Sequence, residues 1–491
     1  MAIKASTWTS RRCVEAEGTG QQLAMIQGMA AARDECVRRG TTPCDLGQGY
    51  PDFPPPEAIL RALAEACGAA PAPSASCSEP GSGPEGVAPG EDRGEGHQYC
   101  PPGGHPMLKE AIAARSWRRS GILYEARDEV SVTVGATEGI QAACLGLLDP
   151  GDEVVTLAPA FPWYASCVAL AGATLRCVPL HPPAFRWDAA ELQAAFSART
   201  KLVIVNSPHN PTGRVLDEAE LRAIAELCVA HDCLALSDEV YSHVCFDGRA
   251  HVPLASLPGM RARTLVLESG GKILCATGWR VGWALGPAPI LRPLALCAQF
   301  GTFCAPTPLQ LAVARGLAED QEAGPIDDAA RAFERNRDAL AAALTATGFD
   351  VAPGGAEGGF FLVADAAPLV VDADRADGSG GPAHADVSFC RRLLLASGVC
   401  AYPLSPFYPQ GSRPPGPSRC TLVRFAICKR ERTIDRACTL LLAAKDALHA
   451  AVRHDQEGRS PSESWPSTSP QDGWMDAPHL HPDDHPGQSK P

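Results

Sequence analysis

Five short runs rich in β-branched and aliphatic residues recur along the middle of the chain: Glu129 to Val134, Asp152 to Leu157, Lys201 to Val205, Cys233 to Ser237 and Arg263 to Leu267. They alternate with longer stretches of helical period such as Glu138 to Leu148 and Asp217 to His231. The runs are apolar at successive positions rather than at every second one, which predicts strands buried on both faces. Their alternation with helices predicts an α/β fold with a mostly parallel sheet sandwiched between helical layers. Beyond Asp327 the pattern changes to a long amphipathic helix over Ala329 to Thr345, short strands at Phe360 to Ala364 and Leu422 to Ile427, and a last helix near Ile434 to Val452. These predict a second, smaller α+β domain. The expected division is an N-terminal segment over 1–45, a large domain over 46–320, a small domain over 321–453 and a tail over 454–491. No internal repeat is visible.

Composition interrupts this pattern twice. Residues 68–97 hold 7 Gly, 5 Pro, 4 Ser and 5 Ala, with Val87 the only large aliphatic and no aromatic. Such a segment buries too little apolar surface to offset its ordering entropy, so a disordered insertion within the large domain is expected. The tail, with SPSESWPSTSP and PHLHPDDHPGQSKP, has the composition of a solvated segment. Its His479, His481 and His485 are metal-ligand types in a stretch with no fold to orient them, and no metal site is expected. Two uncharged stretches, Val154 to Leu175 and Pro293 to Ala314, have the length of a bilayer span. Pro159, Pro162 and Gly172 break the first and Gly301, Pro306 and Pro308 the second, so both are expected as buried interior.

Charge and cysteine usage narrow the function classes. The formal net charge of −13 repels a phosphate backbone or an anionic membrane, which argues against nucleic-acid and membrane partners. The 20 cysteines form no C-x-x-C pair and the chain has no acceptable N-x-[ST] sequon, so reduced thiols in a cytoplasmic setting are expected. The opening MAIKASTWTSRR lacks acids and carries three basic residues, a pattern that leaves a mitochondrial address as the alternative.

Four motifs carry candidate chemistry, and each follows a strand. TLVLESGG ends in Lys272, one of only seven lysines in a chain with 43 basic residues; a lysine among small residues at a sheet edge lies where open α/β sheets bind ligands. Desolvation there favours the neutral amine, the form that builds a Schiff base, although a lysine on a surface loop fits the same pattern. A Walker loop does not, because Val266 stands at its first glycine and Ile273 follows the lysine. In CLALSDEVY a strand delivers Asp238, Glu239 and Tyr241; Asp238 can pair with a protonated pyridine nitrogen or cap a helix. LVIVNSPHNPTG breaks at Pro208 into a turn holding Asn210, whose amide can bond a cofactor hydroxyl or serve the turn alone. In SVTVGATEGI, Gly135, Ala136 and Thr137 open a helix whose N–H groups can cradle an anion.

Taken together with LGQGYPDFPPP (46–56), HQYCPPGGHPMLKEAIA (97–113) and SGGKILCATGWRVGWALGP (269–287), the order and spacing of these motifs resemble the fold-type-I pyridoxal-phosphate aminotransferases. The resemblance is strongest to the kynurenine aminotransferase and glutamine transaminase K group, whose members double as cysteine-conjugate β-lyases. It spans about residues 20 to 450 outside the 68–97 insertion. It implies the pyridoxal-phosphate transferase fold, pyridoxal 5'-phosphate as cofactor and a homodimer. Lys272 would be the lysine that holds the cofactor and shuttles the substrate α-proton. Asp238 would hold the pyridine N–H, Asn210 and Tyr241 the phenolic oxygen, and Phe161 would stack on the ring. Ala136, Thr137, Ser269 and Arg280 would hold the phosphate, with Tyr99 reaching across from a second subunit. Arg424, in LVRFAIC, would clamp the substrate α-carboxylate with the Gly49 backbone, which suits a planar guanidinium.

Three positions depart from that group. Arg280 stands where lysine is frequent, a change that keeps phosphate neutralisation. Thr137 stands where mammalian-type enzymes look aromatic, and Cys304, after Phe303, where they carry histidine. Phe303, Trp163, Tyr164, Tyr50 and Phe407 are candidates for an apolar side-chain pocket. The expected activity is transfer of the amino group of a large neutral or aromatic L-amino acid, of kynurenine, glutamine or methionine type, to a 2-oxo acid. A cysteine-S-conjugate β-lyase uses the same residues and is the alternative within the fold. A non-catalytic cofactor-binding regulator is the alternative from another class; neither the first 45 residues nor the acidic balance suits the DNA-binding domain such regulators carry.

Overall fold

The structure is a computed structural model that describes residues 10, 12, 21–68, 95–319, 324–352, 354–375, 385–409, 412 and 420–456. Its centre is a seven-stranded sheet made of β1 (Val130–Thr133), β2 (Glu153–Ala158), β3 (Thr174–Pro179), β4 (Thr200–Asn206), β5 (Leu234–Asp238), β6 (Thr264–Ser269) and β7 (Gly282–Leu285), in the spatial order β1-β7-β6-β5-β4-β2-β3. All pairings are parallel except those of β7, which runs antiparallel to both β1 and β6. β3 and β7 are absent from the apolar runs read in the sequence. β3 is an edge strand whose half-exposed residues carry a weak signal, and β7 lies inside the GWRVGWALGP motif.

Continuous apolar runs have the expected physical consequence. Along β2 and β4, Val155, Leu157, Val203 and Val205 pack into one core, while Val154, Leu202 and Ile204 pack into another on the opposite face. The second face is closed by α2 (Gly135–Leu147), α3 (Trp163–Ala171) and α6 (Ala288–Thr302), all of which contribute to that core. The stretches Val154 to Leu175 and Pro293 to Ala314 thus fold as strand and packed helix, and among the described residues no helix is long and apolar enough to cross a membrane. Around the first core, α4 (Glu218–Ala230) is started by Asp217, whose carboxylate accepts from the Glu220 N–H in a complete capping box.

The C-terminal part forms a four-stranded antiparallel sheet of β8 (Asp350–Val351), β9 (Phe361–Asp365), β10 (Tyr402–Pro403) and β11 (Leu422–Ala426), in the order β10-β11-β9-β8. It packs with α7 (Pro325–Thr347), α8 (Ala385–Ser397) and α9 (Glu431–Gln456) around Phe349, Phe389 and Phe425. Residues 44–50 of the N-terminal region lie against this sheet: Cys44–Asp45 pairs parallel with Val399–Cys400, and Ala426 N–H donates to Leu46 C=O.

Of the segment read as an insertion, residues 69–94 lie outside the described residues, as do His479, His481 and His485. Its end is not unstructured: Glu95–His97 form a helical turn. That turn abuts the helix before the insertion, since a Cβ on Gly96 would lie 2.0 Å from the Ala66 carbonyl oxygen. Two ends that touch can be joined by a short linker without moving either element. Replacing residues 69–94 with four to six Gly/Ser residues is expected to leave the thermal midpoint within a few degrees of the parent chain by scanning calorimetry.

Candidate active site

Because β1 is parallel to β6 across the antiparallel β7, the carboxyl ends of β1, β4, β5 and β6 meet at one edge of the sheet. Each delivers a motif there: Gly135 after β1, Asn206 and Asn210 after β4, Asp238 at the end of β5, and Ser269 at the end of β6. Lys272 follows in α5 (Gly270–Ile273), a single turn too tightly placed for larger residues: a Cβ on Gly271 would stand 3.0 Å from the Thr277 Cα.

Lys272 is enclosed rather than on a surface loop. Its Nζ donates to Gly49 C=O at 2.8 Å and lies 5.5 Å and 5.0 Å from the ring centres of Tyr241 and Phe360. Burial pulls its pKa down to about 8; Arg280 and Arg424 push the same way, while Cys428 and Asp238 oppose. The neutral, nucleophilic amine is therefore accessible near neutral pH.

No helix follows Asp238, so it is not an N-cap. Its buried carboxylate accepts from the Tyr164 hydroxyl at 2.6 Å. Burial raises the Asp238 pKa to about 6, against the opposing effects of Tyr164, the Val240 N–H and Lys272. The site is held together by a chain of amides. Asn206 Nδ2 donates to Asp238 C=O at 2.8 Å, Asn206 Oδ1 accepts from Asn210 N–H at 2.7 Å, and Asn210 Oδ1 accepts from Arg424 Nη1 at 3.0 Å. With its oxygen so engaged, Asn210 has its NH2 group left to donate.

Arg424, on β11, brings the small sheet to the same edge. Its guanidinium lies 3.8 Å from the ring centre of Phe361 and 4.5 Å from that of Phe407, and its Nη2 donates to Gly47 C=O at 3.0 Å. It is 4% exposed, its Nε has no partner, and among the described residues no carboxylate pairs with it. Burial lowers its pKa to about 10, so it stays cationic at neutral pH. A buried cation with an orphaned N–H and no counterion suits an anion that comes from outside.

A second anion cradle lies at the start of α2. Gly135 has φ +73°, and a Cβ there would meet Arg280 Nη2 at 2.3 Å, so the glycine lets the guanidinium lie against the first helical turn. A Cβ on Gly282 of β7 would approach Ala136 N to 2.5 Å. α2 has no side-chain N-cap, so the amides of Ala136 and Thr137, together with Arg280 and the buried Ser269 beside them, match a phosphate group.

The remaining expected residues are distributed differently. Phe161 stacks on Trp163 at 5.2 Å and meets Tyr164 edge-on. Tyr241 is buried near Lys272. Tyr99 is 83% exposed and touches Phe303 edge-on at 5.1 Å. The Gly49 carbonyl takes the Lys272 hydrogen bond, and the Gly47 carbonyl is the one that touches the Arg424 guanidinium. Tyr164 and Phe407 are fully buried and do not line an open pocket; one bonds Asp238 and the other supports Arg424. Tyr50 carries Lys429 over its ring at 4.1 Å, which makes that end of the pocket less apolar than expected. From the sequence, Tyr164 is placed in the side-chain pocket rather than beside Asp238, and neither the amide link Asn206 nor the Gly47 carbonyl is singled out. For Tyr164 a signal existed, since it falls one helical turn after Phe161.

The chain matches the family model for aminotransferase class I and II over residues 41–441. It belongs to that family. The Mycobacterium tuberculosis protein named "Probable N-succinyldiaminopimelate aminotransferase DapC" is 38% identical over 80% of this chain and 90% of its own. Kynurenine–oxoglutarate transaminase 3 of Mus musculus is 32% identical over 80% of this chain and 83% of its own. The crystal structure of the Escherichia coli protein YbdL, with an identified methionine aminotransferase function, superposes with a TM-score of 0.72 at 31% identity, covering 85% of this chain and 97% of that one. This aminotransferase therefore has the pyridoxal-phosphate fold expected from its motifs, and pyridoxal 5'-phosphate is its cofactor. The arrangement at the sheet edge fits that cofactor, with a phosphate cradle at α2, a carboxylate at β5 and a lysine between them.

Proposed function

We propose that this aminotransferase moves the amino group of a large neutral or aromatic L-amino acid to a 2-oxo acid, working as a homodimer. The observation that carries the reading is Arg424, a buried guanidinium whose uncompensated charge and free Nε suit a substrate α-carboxylate. Bound pyridoxal phosphate supplies an aldehyde and a pyridine ring that accepts an electron pair. Ala136, Thr137, Ser269 and Arg280 bind its phosphate, and Tyr99 of one subunit, exposed in the single chain, reaches the partner's site. Asp238, kept anionic by the Tyr164 hydroxyl, holds the proton on the pyridine nitrogen. Asn210 and Tyr241 would hold the ring's phenolic oxygen, and Phe161 would support the ring from one side. Lys272 would hold the cofactor and, with its amine free, would take the proton from the substrate Cα at Nζ. Gly47 and Asn210 fix the Arg424 plane, which would orient the substrate α-carboxylate.

Arg424 serves the α-carboxylate, and the side-chain end is framed by Phe303, Trp163 and Tyr50. A second carboxylate on the substrate would lose water there without a guanidinium to pair with, the Lys429 ammonium beside Tyr50 being held by the Tyr50 C=O at 2.9 Å. Aspartate is expected to be about a hundredfold poorer than methionine, glutamine or kynurenine in kcat/KM. The 38% identity to the DapC protein supports a competing donor class, a long amino acid bearing an N-succinyl group, whose further carboxylates the apolar pocket described would reject. A donor panel of methionine, glutamine, kynurenine, N-succinyl-LL-diaminopimelate and aspartate, with product analysis for pyruvate and ammonia, decides among these and the β-lyase reaction. Aspartate as the best donor would reject the pocket described.

A further inference from the structure

One carboxylate ties the start of α2 to the end of α6. Glu138, in the first turn of α2, accepts from the Val134 N–H at 2.5 Å through Oε2 and from the Thr302 hydroxyl through Oε1. Val134 immediately precedes α2, and its N–H is among the donors that a helix start leaves without an internal partner. Glu138 reaches back to it as the acid of a capping box does, one position later than usual. The amides of Ala136 and Thr137 are then the ones left for the phosphate.

Thr302 closes α6, and the turn that follows it is strained. Phe303 has φ +71° and ψ −67°, and the Cys304 N–H donates to the Thr302 C=O at 3.0 Å, a γ-turn of the hand that non-glycine residues rarely adopt. Such a turn persists only where its surroundings hold it. At their far end α2 and α6 are already locked, since a Cβ on Gly146 would come within 2.8 Å of the Pro293 carbonyl group. At the active-site end the link is Glu138 and Thr302. The turn sets the Phe303 ring edge-on to Tyr99 at 5.1 Å, on the segment that leads into α1 (Pro106–Ser120). That segment is fixed in turn from the stretch after Phe303. Gln310 Nε2 donates to Ala305 C=O at 2.7 Å and to Cys100 Sγ at 3.0 Å, while its Oε1 accepts from His105 N–H at 2.8 Å.

We propose that Glu138 is a positioning residue for the reaction: its carboxylate sets the phosphate seat at the start of α2 and, through Thr302, the Phe303 turn at the side-chain end of the substrate. The second half rests on the large neutral donor proposed above. The two links differ in weight. The Val134 bond is part-buried and the Thr302 bond exposed, so loss of the side chain falls first on the cofactor seat. Charge alone acts in the opposite direction, because an anion near the seat repels a phosphate dianion. A neutral side chain that keeps both hydrogen bonds therefore binds the cofactor at least as well as glutamate, and one that loses them binds it worse.

The test uses the full chain, as apoprotein recharged with pyridoxal phosphate, in Glu138→Ala, Glu138→Gln and Thr302→Val. Equilibrium dialysis is expected to show about fivefold weaker cofactor binding in Glu138→Ala. Glu138→Gln should bind as tightly as the parent or more so, its amide oxygen serving the Val134 N–H and its NH2 the Thr302 oxygen. Thr302→Val keeps the branched shape and should leave cofactor affinity unchanged. With cofactor saturating, it should raise KM for methionine about threefold relative to that for alanine, whose methyl group is too short to reach Phe303, with kcat the same for both. The dialysis uses no amino donor, so it decides the role of Glu138 at the cofactor seat whatever the donor class proves to be. Tighter binding in both Glu138 variants would reduce the residue to its charge, and unchanged binding in Glu138→Ala would remove it from the seat; either result overturns the proposal. A Thr302→Val enzyme in which methionine and alanine respond alike would overturn the link to Phe303.

Discussion

Lys272→Ala is expected to lower turnover by at least about a thousandfold, because one side chain is asked both to hold the cofactor and to move the substrate proton. In wild type, borohydride should fix pyridoxal phosphate on the peptide that contains Lys272, and in the variant on no peptide; a label on another lysine would refute the assignment. The pH dependence of cofactor capture by apoprotein follows from the same environment. The amine is nucleophilic only when unprotonated, and burial has brought its pKa to about 8. Capture, followed by the visible absorbance band, should therefore quicken as pH rises through about 8, well below the range of an ordinary lysine. The hydrogen bond from Lys272 to the Gly49 carbonyl must break in the process, so the strap of residues 46–50 gives up one of its anchors when the cofactor arrives.

Asp238→Asn is expected to cost about two to three orders of magnitude in kcat, since a neutral amide cannot hold a charged pyridine ring and the ring then accepts electrons poorly. The electrostatics carry a second, finer expectation. Burial holds the Asp238 pKa near 6, so cofactor affinity should fall as pH drops through that value and the carboxylate is neutralised. Tyr164 donates to the charged form, and its hydrogen bond keeps the pKa from rising further. Tyr164→Phe should therefore shift the acid limb of cofactor binding to higher pH, with little change in the alkaline limb. Equilibrium dialysis of pyridoxal phosphate between pH 5 and 9 reads this out. A purely structural role for Tyr164 would lower affinity at every pH without moving the limb.

Much of this site was legible because its parts are local. A strand followed by Gly-Gly-Lys, a strand ending in Asp and a strand opening into Gly-Ala-Thr each contain their chemistry within about eight residues. The parallel arrangement then has to bring such strand ends to a common edge. The apolar runs were equally local signals, as β2, β4, β5 and β6 match them to within two residues. What escaped was non-local. Tyr164 and Asp238 are 74 positions apart and Arg424 and Gly47 are 377 apart, and no period or motif links such pairs. The pocket reading failed at Tyr164 and Phe407 for the same reason, because an aromatic side chain reads alike whether it lines a cleft or supports a charged neighbour.

The sequence by itself determined the α/β architecture, the four strand-end motifs and the lysine, since each depends on backbone period, strand ends and residue chemistry within one stretch of chain. Only the tertiary structure decided which charges are left without partners. Arg424 is one of many arginines until β11 buries it against Phe361 and Phe407, away from every described carboxylate. Desolvation is a property of the surrounding volume, supplied by residues scattered over hundreds of positions, and it turns common side chains into sites.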